Sequence, residues 1–71
     1  MPPLNARQII RILKMNGFEK ARQAGSHVIF RHSDTKRIVP IPIHNKNSPL
    51  PIGTFLAIIK QSGLPSGSFK K

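Results

Sequence analysis

Cysteine, tryptophan and tyrosine are all missing from this 71-residue chain, and only two residues, Glu19 and Asp34, are acidic. Each scarcity removes a class of chemistry. Without cysteine there is no disulfide and no thiolate metal site. One Glu and one Asp far apart in sequence cannot supply the paired carboxylates of a glycosidase or of a two-metal nuclease. Phe is the only aromatic type, and the core requires Phe30 and Phe55, so an RRM-like stacking pair for reading single strands is not expected. There is no GxGxxG and no phosphate-cradling P-loop. No apolar run approaches the ~20 residues of a membrane span. Met1-Pro2-Pro3-Leu4-Asn5 has no basic stretch leading into an apolar run, so no signal peptide is expected. With no cysteine to oxidise, the expected compartment is the cytoplasm.

What the chain has in abundance is positive charge. Twelve Lys and Arg face the two acids, a formal net charge of +10. Such an imbalance repels itself in the compact state and points to a polyanionic partner. Nucleic acid ranks first and an acidic protein second. A membrane surface ranks last, because the cations are spread along the chain instead of lining one apolar-backed helix.

The hydrophobic pattern predicts one small domain over residues 1–64, with a mobile basic tail at 65–71. Asn5 and Gln8 form a capping box for a first helix, and Leu4 packs on Ile9 as a staple. Ile9, Ile12 and Leu13 share its apolar face, with Ile10 beside them, and Gly17 ends it. Arg7, Arg11 and Lys14 make a cationic stripe on the other side, a candidate RNA contact. Three extended segments follow: Phe18 to Gln23, Ser26 to His32, and Arg37 to Ile43, the last two separated by the Ser33-Asp34-Thr35-Lys36 turn. Pro40 and Pro42 lack the N–H on the same side of the third segment, which assigns it to a sheet edge. A second helix spans about Pro51 or Ile52 to Ser62, with Ile52, Phe55, Leu56 and Ile59 expected inward and Gly63 as its stop. The order α-β-β-β-α predicts an α+β, double-stranded-RNA-binding-domain-like two-layer sandwich: a three-stranded antiparallel sheet with both helices on one face.

Few residues could move protons, which directs attention to Gly25-Ser26-His27. Strand alternation puts Val28 and Phe30 under the helices, and His27, Ile29 and Arg31 on the open face. An imidazole sharing that face with a guanidinium is a plausible phosphate site, the imidazole moving a proton while the cation offsets developing charge. From spacing alone His27 is either such a group or a polar strand-end residue. His32 and His44 read as polar strand-end residues. The three histidines lie far apart, with Arg31 and Lys46 flanking them, so no metal site is expected. Ser26 cannot act as a nucleophile with His27 as its base, since neighbouring strand residues face opposite ways.

These segments together resemble the HicA-type toxins, the YcfA/HicA family of small bacterial mRNA interferases. The resemblance runs from about Ile9 to Leu64. It is carried by Gly17-Phe18, by Gly25-Ser26-His27 opening a strand that ends in Phe30-Arg31-His32, by Ile41-Pro42-Ile43-His44, by Gly53-Thr54, and by Ile59-Lys60-Gln61-Ser62-Gly63. It implies ribonuclease activity on mRNA, His27 as the catalytic histidine, and neutralisation by a HicB-type antitoxin. The chain departs from the family at Val28 and in the pair Pro40 and Pro42; His27 is retained. The resulting expectation is a cofactor-free, metal-independent endoribonuclease with His27 as general base or acid. Arg31 and Lys46 join the helix stripe as RNA contacts, and the second proton-transfer group is sought in His44 or Lys46. The alternatives are a non-catalytic basic RNA-binding module of the same fold, and a basic interaction protein whose main partner is an antitoxin.

Overall fold

The computed structural model describes residues 3–43 and 45–70. Helix α1 covers Ala6–Met15 and opens with the full capping box. The Asn5 side chain accepts the Gln8 N–H at 2.9 Å, and the Gln8 side chain accepts the Asn5 N–H at 3.1 Å. Leu4, Ala6, Ile9 and Leu13 are buried, and Ile10 and Ile12 pack at the margin of the core. Full burial of a side chain such as Ile9 or Leu13 contributes about 1.5–3 kcal/mol. Gly17, at φ 90°, turns the chain out of the helix.

Strands β1 (Phe18–Ala24), β2 (His27–His32) and β3 (Ile38–Pro42) form one antiparallel sheet in the order β1-β2-β3. The inner face carries Phe18 from β1, Val28 and Phe30 from β2, and Val39 and Ile41 from β3, all buried. Helix α2 (Ile52–Ser62) packs chiefly on β3 and α1 lies towards β1. The expected topology is therefore present, with β3 as an edge.

The rungs explain why β3 tolerates two prolines. The Ile43 N–H donates to the Ser26 carbonyl (2.8 Å), and the His32 N–H donates to the Arg37 carbonyl (3.0 Å). Hydrogen-bonded rungs therefore fall on odd positions of β3. Pro40 and Pro42, opposite Ile29 and His27, occupy the other rungs, where the backbone nitrogen faces away from β2 and no donor is needed.

Two expectations change. The buried face of α2 is Phe55, Ile58 and Ser62, with Ile59 half-buried, whereas Ile52 and Leu56 are each 53% exposed. Apolar residues on several sides of this helix leave its period ambiguous, and docking against β3 selects the rotation. Residues 65–70 are also built into the fold. A 3₁₀ turn at Ser66–Phe69 drives Phe69 into the core, fully buried, with its ring edge-on to Phe55 at 6.2 Å. The Gly and Ser around it gave Phe69 the look of a tail residue, but a large aromatic ring is strongly favoured where an opening in the core accepts it.

Candidate active site

His27 is the first residue of β2 and follows a two-residue hairpin. Ala24 and His27 are cross-strand partners, so Gly25 and Ser26 form the whole turn. Gly25 has φ 59° and Ser26 is outside the positive-φ region, the pattern of a type II′ turn, which demands glycine at its first central position. The turn sets both the register and the exposure of His27. Its partner on one side is Ala24, a single methyl; on the other it is Pro42. Paired residues on rungs without hydrogen bonds have Cα atoms about 4.5 Å apart, so the Pro42 ring stands beside the imidazole. His27 and Pro42 line an open groove of about 600 Å³ that runs over the β3 edge towards Leu50, Thr54 and Ala57.

The other described histidine has one ring nitrogen committed to the backbone. His32 projects to the inner side with Phe18 and Phe30. Its Nδ1 accepts the N–H groups of Asp34 (3.1 Å) and Thr35 (3.2 Å), which orders the β2–β3 turn. A nitrogen that accepts two N–H donors carries no proton and is not available to a substrate. His44, the third histidine and a candidate second proton-transfer group, lies outside the described residues.

The predicted cations divide into separate groups. Arg31 shares the open face with His27, as expected, but four residues of strand separate them by about 13 Å. They occupy opposite ends of that face of β2, with Ile29 between them. Its cross-strand partner is Glu19. Arg7, Arg11 and Lys14 are exposed on α1 and border a shallow concavity of about 410 Å³ with Ile10 and Met15. That helix covers the inner face of the sheet, so the stripe and His27 belong to different sides of the molecule. Lys46 is exposed in the loop after β3. Because Ile43 is hydrogen-bonded to Ser26, this loop leaves the sheet at the same end as His27.

Alternation also hid a further cation, Arg22. Counting outward and inward from the buried Phe18 places Arg22 on the inner face. A β-bulge between Lys20 and Arg22 inserts Ala21 and reverses the phase, so Arg22 pairs with Ile29 on the open face. The only sequence signal for it was the conflict between a buried Phe18 and the register that the turn imposes on Ala24.

Neither carboxylate is near His27. Glu19 is at the Arg31 end, and Asp34 is in the turn beyond His32. Among the described residues, no three His, Cys, Asp or Glu side chains gather as a metal cage. All four phenylalanines are fully or almost fully buried, which leaves none to stack on a base. Among the described residues, no helix is long and apolar enough to cross a membrane.

A comparison with curated proteins yields no match. Compared with protein families, residues 6–64 match the family described as the HicA toxin of bacterial toxin-antitoxin systems. The match spans both helices and all three strands, including the hairpin that presents His27. The chain belongs to the HicA toxin family.

Proposed function

We propose that His27 is the proton-transfer residue of a metal-independent endoribonuclease that cleaves mRNA, and that a HicB-type antitoxin silences it. Family membership supplies the reaction class, since HicA toxins of toxin-antitoxin systems are mRNA interferases. The observation that supports the choice of residue is the contrast between the two described histidines. His32 spends its Nδ1 on the β2–β3 turn, whereas His27 is exposed at the mouth of a groove with only Ala24 and Pro42 opposite.

RNA carries its own nucleophile. The 2′ oxygen forms a bond to the adjacent phosphorus and the bond from phosphorus to the 5′ oxygen breaks. One proton leaves the 2′-OH and one is delivered to the 5′ oxygen, leaving a 2′,3′-cyclic phosphate and a 5′-hydroxyl. Imidazole can take or give a proton near neutral pH, so His27 can serve either transfer. Lys46, whose loop leaves the same end of the sheet, and His44 are the side chains proposed for the other. The distance of both carboxylates from His27 supports a route without metal, because a hard divalent cation needs oxygen ligands.

The test is incubation of RNA with wild-type protein and with His27→Ala, both in EDTA. The expected result is cleavage to 2′,3′-cyclic ends by wild type alone, with RNA binding retained by the variant. Wild-type cleavage abolished by EDTA would overturn the metal-free route. Equal cleavage by both proteins would remove His27 from the mechanism.

A further inference from the structure

We propose that Arg22 holds the scissile phosphate for His27; the inference rests on the ribonuclease reading above. In an antiparallel ladder, partners project to the same face, and diagonal neighbours are about 7–8 Å apart, within reach of a long side chain. Arg22 is opposite Ile29, so its diagonal neighbours on β2 are His27 and Arg31. It is exposed, and Ala24, between it and the turn, contributes only a methyl group. A phosphate seated over half-buried Ile29 would meet the guanidinium from β1 and the imidazole from β2. Arg31, about 13 Å from His27 along the strand, stands farther from the imidazole than Arg22 does. Arg31, Arg22 and His27 form a zigzag on the open face, suited to successive phosphates of one strand.

The bulge gives this arrangement a structural cause. A regular β1 could not keep Phe18 in the core and Arg22 on the open face, because strict alternation gives residues 18 and 22 the same side. The extra residue, Ala21, satisfies both. It also sets Glu19, instead of Lys20, opposite Arg31, so the carboxylate falls at the far end of the zigzag from His27.

In the reaction, attack by the 2′ oxygen raises the negative charge on the phosphoryl oxygens as the bond to the 5′ oxygen breaks. A guanidinium offers two parallel N–H donors to two of those oxygens and remains charged throughout. Arg22 therefore stabilises the transition state more than the ground state, while His27 carries a proton.

The experiment measures single-turnover cleavage of an RNA oligonucleotide at saturating protein, in EDTA. It uses wild type, His27→Ala, Arg22→Gln, Arg22→Lys and Lys60→Gln, with thermal unfolding of each. Arg22→Gln is expected to unfold like wild type and to lower the saturated rate by about 10²-fold. Arg22→Lys should recover part of the rate. Lys60→Gln removes the same charge from α2, away from the open face, and should cleave at the wild-type rate. A wild-type saturated rate for Arg22→Gln, or a loss seen only as a higher concentration needed for saturation, would overturn the role of Arg22. Loss of cleavage in His27→Ala alone would then leave the ribonuclease reading standing, whereas equal cleavage by wild type and His27→Ala would overturn that reading itself.

Discussion

The His32 ring stands edge-on to Phe18, its partner across β1 and β2, with centroids 5.0 Å apart and planes at 80°. Together with two backbone N–H groups on Nδ1, this contact makes His32 a structural residue. His32→Ala should cost about 1–2 kcal/mol of stability while folded molecules still cleave RNA. His27→Ala should show the opposite split, unfolding like wild type without cleaving. Paired denaturation and cleavage measurements check both halves, and a His32→Ala protein that folds but does not cut would refute the assignment.

Gly17 depends on the same histidine. An added Cβ would lie 2.6 Å from His32 Nε2, and φ is 90°, where side chains are strained. Gly17→Ala should therefore destabilise by about 1–3 kcal/mol, and more than Gly53→Ala, where a Cβ meets open space. Urea melts of the two variants make the comparison.

The rotation of α2 can be read from a pair of truncations. Ile58 is buried and Leu56 half-exposed. Ile58→Ala should cost about 2–4 kcal/mol, and Leu56→Ala about 1 kcal/mol or less. A larger loss for Leu56→Ala than for Ile58→Ala would mean that α2 docks by the face containing Ile52 and Leu56.

Phe69 carries a similar prediction for the C-terminal segment. Its ring is fully buried against Phe55. Phe69→Ala should cost about 3–5 kcal/mol, a large part of the stability of a domain this small. Ending the chain after Leu64 should do at least as much harm. A truncated chain with an unchanged melting temperature would show that the ring contributes nothing.

RNA binding by the His27→Ala protein should weaken with salt, with a log–log slope near −0.7 for each phosphate neutralised on a single strand. Substituting Arg31 should reduce the slope by about one phosphate contact. Fluorescence anisotropy over a salt series measures this. A flat response would remove the basic surface from the account of RNA binding.

Much of the fold was legible because its signals are local. A capping box needs only Asn5 and Gln8, a hairpin turn only a glycine able to adopt positive φ, and an edge strand only prolines without donors. His27 stood out for the same reason, as one of few proton carriers in a chain short of acids and without cysteine. The remaining features depended on elements distant in sequence. The α2 face was ambiguous until β3 selected it, and Phe69 looked like part of a tail until Phe55 met it. The separation of His27 from Arg31 follows from strand rise. Their neighbour Arg22 came into view only with the bulge, because its side is settled by the β1–β2 register and not by counting along β1. Composition, local signals and family resemblance thus pointed to the fold, the reaction class and the candidate histidine, while the tertiary structure decided which cation neighbours it on the open face, since only strand pairing brings residues from separate elements onto one face.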